Sequence, residues 1–351
     1  MRYNNKEFGQ MERALMYKVA NSRLFELRNE YLSCTFSSLG ASVVRVVLLR
    51  NRLSLALSPA AFWRGASDPS LAGRTVGPLC GRVRDGKASL NGRTLSLLQN
   101  EGRNHLHGGL GVSDMLWETE DSPDQVRFSL DLEDGLAGYP GKRHLEALYR
   151  LQGPSLEVIY SAVSDRDTVL DLTSHLYWDL SGRFDGTAMS HLLTIQADRV
   201  VFNDSGHCPA SIQPCIGAMN FLKPASPGKR LKAFPQNEQL RNGKGFDNAF
   251  ILNPQRVQSS GYAARLFNPL NGVRMDLSTD APALVFYSGG FLGADTPLSG
   301  GTHASPGCAL ALEAQSVPDA WHLPGQDPPV LRAHARFRRF IRWTFGLGTF
   351  G

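Results

Sequence analysis

Glycine and proline cut this sequence into short strand-like segments, and no long amphipathic helical period survives between them. Ala88-Ser-Leu-Asn91-Gly92-Arg-Thr-Leu95 is a hairpin signature, because Asn-Gly accepts the positive φ angles of a tight type I′ turn between alternating arms. His144-Leu-Glu-Ala-Leu-Tyr-Arg-Leu151 alternates, turns at Gly153-Pro154 and resumes as Leu156-Glu-Val-Ile-Tyr160. Further strands are expected at 24–28, 42–49, 126–132, 191–196, 199–203, 262–267, 273–277, 283–287, 309–313 and 334–343. This pattern predicts an all-β chain folded as a large antiparallel β-sandwich with few short helices. Residues 1–22 read as an N-terminal extension and 23–351 as one domain, since large all-β folds often use about 200–250 residues or more as one unit. Residues 204–245 carry Pro209, Pro214, Pro224, Pro227 and Pro235 with few strand signals. A connection of that length is either the wall or lid of a cleft or a loose surface excursion.

Hydrophobic residues make up 42% of the chain and charged residues 20%, which suits a large core and argues against disorder. The formal charge of +5 is small and dispersed, so nucleic acid is not an expected partner. The basic stretch from Arg332 to Trp343 suits a terminal strand with a solvated face. Cys34, Cys80, Cys208, Cys215 and Cys308 are odd in number and lack Cys-x-x-Cys spacing, so neither structural disulfides nor a zinc site is expected. Cys208 and Cys215 are spaced to approach each other in a loop. Residues 1–22 lack the apolar core of a signal peptide, and Arg45, Arg50 and Arg52 break the apolar stretch near 42–57. The expectation is a soluble cytoplasmic protein without a membrane partner.

Five segments carry candidate chemistry. Ala309-Leu-Ala-Leu-Glu313 ends an apolar strand on one carboxylate, a group seldom buried without a task or a partner. Leu172-Thr-Ser-His175-Leu-Tyr-Trp sets a lone histidine among apolar and aromatic residues, where a satisfied core histidine is the plainer reading. Gly77-Pro-Leu-Cys-Gly81-Arg82-Val-Arg84 offers a close backbone approach and an arginine able to fork onto sugar hydroxyls, or is a loop with solvated arginines. Asn104-His105-Leu-His107-Gly-Gly109 places two histidines at i and i+2, on one face of an extended strand. No third ligand stands nearby for a metal, so hydrogen bonding to a hydroxyl suits them better, with an ordinary turn as the plain alternative. Gly245-Phe-Asp247-Asn-Ala-Phe250 sets an acid between aromatics, suited to sugar hydroxyls and ring faces, or to a simple Asx turn.

Taken in order, these segments resemble the aldose 1-epimerase (galactose mutarotase) family from about residue 25 to 345. Its Gly-Arg-Tyr-Ala-Asn-Arg-Ile loop is matched by Gly77 to Val83, with Arg82 in the place of the substrate arginine. Its Ser-Leu-His-Gly-Gly is matched by His105-Leu-His107-Gly-Gly, and its Asn-His-Ser-Tyr-Phe-Asn-Leu by Ser174-His175-Leu-Tyr-Trp-Asp-Leu180. Its Tyr-Asp-His is matched by Phe246-Asp247-Asn248, and its Leu-Glu-Thr-Gln-x-x-Pro-Asp-Ala by Leu312-Glu313-Ala-Gln315-Ser-Val-Pro318-Asp-Ala320. Asp134 to Gly141 resembles the family's Asp-Gly-x-x-Gly-Tyr-Pro-Gly turn. Pro78, Gly81, Ser174, Asn220 and Val285 depart from residues the family commonly carries; Gly81 stands in place of an asparagine, and Val285 in place of a sugar-binding glutamine.

The resemblance implies a galactose mutarotase-like supersandwich that interconverts the α and β anomers of a free hexose without cofactor or metal. It assigns Glu313 as base toward the C1 hydroxyl and His175 as acid toward the ring oxygen, with Arg82, His107 and Asp247 binding the sugar. Arg82 is expected to hold His175 or the ring-oxygen side. The partner is then a small aldose, and the protein a monomer or homodimer. Two other readings remain at this level. A hexose-6-phosphate epimerase would need a basic pocket, from Arg84, Arg103 or Lys142. A carbohydrate-binding protein without catalysis would not need both Glu313 and His175.

Overall fold

The computed structural model describes residues 21–64 and 68–348. Most of the expected N-terminal extension, residues 1–20, lies outside the described residues. Three antiparallel sheets make up the body of the fold. An eight-stranded sheet runs in the order Glu118–Asp121, Gln125–Leu132, Arg143–Gln152, Ser155–Ser164, Arg336–Leu347, Val273–Thr279, Ala264–Phe267 and Leu192–Ile195. A six-stranded sheet runs Tyr177–Trp178, Leu310–Gln315, Ala283–Tyr287, Asp247–Leu252, Ala197–Asn203 and Pro209–Pro214. A four-stranded sheet holds Leu24–Arg28, Leu32–Ser37, Ser42–Leu48 and Leu53–Ser54. Among the described residues no helix is long and apolar enough to cross a membrane. The chain is thus the all-β antiparallel sandwich that its punctuation predicts.

Alternation positions everything else. One cluster of buried apolar side chains draws on all three sheets, and Trp178 of the six-stranded sheet packs there against Trp343 and Phe345 of the eight-stranded sheet at 5.8 and 5.6 Å. Leu310, Leu312, Ala314, Leu284, Phe286 and Phe250 point into this core. With a side-chain period of two, Glu313, Gln315, Val285, Tyr287, Asp247 and Ala249 must face the other way. They do, and that outer face is the floor of the cleft described below.

The sequence expectations meet the structure at most strands. Asn91 and Gly92 take φ values of 51° and 74° in the tight hairpin Lys87–Leu90 to Arg93–Ser96. The wholly buried strand Leu32–Ser37 was not anticipated, because burial on both faces erases its alternation. His175 is not within a continuous strand but between two short ones, Thr173–Ser174 and Tyr177–Trp178. Residues 204–245 are neither strand-poor nor loose. They contain an edge strand, Pro209–Pro214, and the short helices Pro227–Ala233 and Glu238–Asn242, capped by Ser226 and Asn237. Edge position explains the misleading prolines, since an edge strand tolerates a missing N–H. The basic C-terminal strand is partly paired, Arg342 with Glu157 and Arg339 with Asp171 and Asp280, while Arg336 and Arg338 are exposed. All five cysteines are free thiols, so Cys208 and Cys215 do not bridge.

Candidate active site

The floor comes from three neighbouring strands in fixed register. Val285 stands opposite Glu313 on one side and Ala249 on the other, and Tyr287 stands opposite Asp247. Walls are added by loops above the floor. The two-residue strands Arg82–Val83 and His105–Leu106 pair with each other, and His107 N–H donates to Gly81 O at 3.2 Å. Gly108 is obligatory at this crossing, because a Cβ there would lie 1.8 Å from the Gly77 carbonyl oxygen. Asp171 ties the walls to the floor: its N–H donates to Pro78 O at 2.6 Å, and its Oδ2 accepts from Ser316 N–H at 2.7 Å. Arg339 of the eight-stranded sheet neutralises that buried carboxylate from 3.1 Å.

The cleft encloses about 410 Å³ and is lined by all five residues expected from sequence: Glu313, His175, Arg82, His107 and Asp247. Its size lies within the usual range of about 300–1,000 Å³ for small-ligand sites. His175 Nε2 lies 3.7 Å from Glu313 Oε1, and both residues are buried, at 6% and 3% exposure. The His175 ring stacks on Tyr177 at 4.7 Å and meets the His107 ring edge-on at 5.6 Å. His107 Nδ1 accepts from Gly81 N–H at 3.3 Å, which leaves the proton of the neutral ring on Nε2.

Burial sets the protonation of the pair. Loss of solvent, and then the nearby Asp247 carboxylate, pushes Glu313 up to about 8. Loss of solvent pushes His175 down to about 4. His107 is held well below the usual histidine range by burial, then by His175, Arg82 and His105. Asp247 is held above the usual carboxylate range by loss of solvent, against the opposing pull of Arg82. At neutral pH the Glu313–His175 pair therefore holds one proton, and desolvation favours it on the carboxyl group.

Several expectations need correction in detail. Arg82 does not fork toward His175. Its Nε and Nη2 donate to Glu101 at 2.7 Å each, and its Nη1 faces Asp247 Oδ2 at 3.7 Å. His105 and His107 do not share a face, because His107 takes φ 50° and ends the strand. His105 turns inward instead, to Tyr139 Oη at 2.5 Å and Leu98 O at 2.6 Å. Phe246 and Phe250 are core residues, packed on Phe221, so the aromatic walls of the cleft are Tyr287 and Phe291. Val285 lines the cleft and Gly81 its rim, whereas Asn220 is used locally, its Oδ1 accepting from Leu222 N–H at 3.1 Å.

Sequence reasoning missed Glu101, Asn203, His207, Tyr287 and Phe291 as lining residues. Their only local signals were loop position or strand parity, and neither identifies which distant loop arrives. The cations a phosphosugar would need are engaged elsewhere: Arg84 pairs with Asp204 at 2.7 Å, Lys142 with Glu133 at 3.3 Å, and Arg103 with Asp85.

Comparisons with known proteins agree with this fold. A family model described as aldose 1-epimerase matches residues 23–342. A galactose mutarotase from Sus scrofa is 34% identical over 280 residues, covering 78% of this chain and 79% of its own. An aldose 1-epimerase from Haemophilus influenzae is 31% identical over 254 residues, covering 71% and 73%. Among solved structures, galactose 1-epimerase from Lactobacillus acidophilus NCFM superposes with a TM-score of 0.82 at 26% identity, covering 94% and 99%.

Proposed function

Because the chain belongs to the aldose 1-epimerase family and is an isomerase of that kind, we propose that it interconverts the anomers of a free hexose such as galactose or glucose through Glu313 and His175. Glu313 as carboxylate takes the proton of the C1 hydroxyl. The C1–O5 bond breaks as the C1 carbonyl forms, and O5 takes a proton from the His175 imidazolium. Rotation about C1–C2 and reclosure on the other face run these transfers backward, so the enzyme returns unchanged. Asp247 accepts from sugar hydroxyls, His107 Nε2–H donates to one, and Arg82 is held in place by Glu101 while it balances Asp247.

The approach of His175 Nε2 to Glu313 Oε1, 3.7 Å apart in one buried cleft, carries this reading, and the opposite shifts of the two groups accord with it. Ring opening converts a Glu313 carboxylate and His175 imidazolium into a carboxylic acid and a neutral ring. That neutral state is the one burial favours, as the displacements to about 8 and about 4 record. A dry cleft thus disfavours the ion pair that precedes ring opening and favours the pair's state beside the open aldehyde. Bound sugar hydroxyls and the His107 N–H supply the dipoles that let the ion pair form first.

Polarimetry on freshly dissolved α-galactose and α-glucose tests the assignment. Glu313→Gln and His175→Asn should each lower kcat by about 10²–10⁴-fold with the thermal transition preserved. A near wild-type rate in either folded variant removes that residue from the chemistry. A sugar that binds to the wild type without any catalysed anomer change would favour the non-catalytic reading.

A further inference from the structure

The wall formed by Gly81, Gln315 and Pro318 holds a polar group that the scheme above does not use. Gln315 is 1% exposed and follows Glu313 by two residues, so strand parity points both side chains into the same cleft. Its Nε2 donates to Ser316 O at 3.3 Å, which orients the carboxamide. Its Oε1 is buried and has no hydrogen-bond partner among the described residues. Burying an amide oxygen unsatisfied is destabilising, so an orphan oxygen on a side chain that lines a cleft calls for a donor.

The surroundings say what kind of donor. Gly81 lies between Gln315 and His107: a Cβ at Gly81 would sit 3.6 Å from Gln315 Nε2, and the Gly81 N–H donates to His107 Nδ1. The same wall therefore presents a ring N–H donor, from His107 Nε2, and an amide oxygen acceptor, from Gln315. A hydroxyl is the group that both donates and accepts through one atom. A carboxylate could not satisfy the Gln315 oxygen, and a keto oxygen could not either. Where an asparagine at position 81 would have added an amide to this wall, the glycine leaves the carboxamide of Gln315.

We propose that Gln315 is a substrate-binding residue, whose side-chain oxygen accepts from one ring hydroxyl of the same aldose that Glu313 and His175 open. The inference rests on the proposed function and deepens it, because it makes the presence of a particular hydroxyl a specificity requirement. The spacing along the strand, about 6.6–6.8 Å between the Cα atoms of residues i and i+2, lies on the scale of one pyranose, so Gln315 and Glu313 can serve different hydroxyls of one ring.

The test pairs Gln315→Leu with a series of 2-, 3-, 4- and 6-deoxy sugars of the preferred hexose, read by polarimetry with KM and kcat separated. The expected result is a rise of about tenfold in KM for the parent sugar with little change in kcat. For one deoxy analogue, the one lacking the partner hydroxyl, wild type and variant should have equal KM. A penalty of the same size for every analogue, as a merely structural role would give, overturns the proposal, and so does no penalty at all. If the leucine variant fails to fold, Gln315→Met provides the same comparison. If the wild type turns over no aldose, the proposed function fails; calorimetric titration of the same sugars into wild type and variant then still decides whether Gln315 meets a hydroxyl.

Discussion

At the scale of single residues, the site is governed by desolvation. For Glu313 and His175 neither pKa displacement can arise until sheet and loops exclude water around them. A pair that must hold one proton has a pH window set by both groups together. Below about 4 the pair takes a second proton and has no base, and above about 8 it loses its only proton and has no acid. kcat/KM should therefore form a bell whose limbs fall near those values. An alkaline limb near about 6.5, the value of an unperturbed histidine, would show that burial does not set the window. Glu313 was visible in the sequence because a lone acid in an apolar strand is costly, although the strand does not end there but runs on to Gln315. Glu101, the partner of Arg82, was not, because nothing in a loop glutamate says which arginine it will meet.

At the scale of elements, the cleft depends on short connections that touch without room to spare. Gly81 takes φ 76°, and a Cβ there would lie 2.8 Å from Pro318 Cβ. Gly81→Ala should cost about 1–3 kcal/mol through backbone strain alone. It should also push the Arg82 and His107 wall away from the Gln315–Pro318 wall, and displacements of that kind can cost up to about 100-fold in kcat/KM. Thermal melting and polarimetry on the one variant measure both effects. Wild-type behaviour in both would mean that the two walls move independently. The hairpin at Asn91-Gly92 was legible because its turn chemistry is local. The strand Pro209–Pro214 was not, because edge position is a property of the whole sheet and not of the segment.

At the scale of the whole molecule, the two large sheets are joined beneath the site by charge as well as by apolar packing. Asp171 links the glycine-rich wall, the residue after the Glu313 strand and Arg339 of the opposite sheet. Asp171→Ala would leave Arg339 buried with only Asp280 nearby and Ser316 N–H without its acceptor. Removing one partner of a buried ion pair typically costs about 3–5 kcal/mol. Urea denaturation should show a loss of that order together with lower activity. A loss below about 1 kcal/mol would mean that apolar packing alone joins the layers there.

The sequence by itself determined the architecture's class, and its resemblance to a family, rather than any local rule, singled out the five side chains expected at the cleft. Period-two alternation, turn chemistry and an isolated acid in an apolar strand are local physical facts that the chain carries before it folds. The expected strand stopped at Glu313, and only the structure carries it on to Gln315, so that the two side chains share a face. Only the tertiary structure decided which distant loops meet over that face, that His105 turns away while His107 turns in, and that Arg82 spends its fork on Glu101. The reason is range. Local sterics and burial patterns act over a few residues, whereas contacts among positions 81, 107, 175, 247 and 313 join residues far apart in the chain, which no short segment encodes.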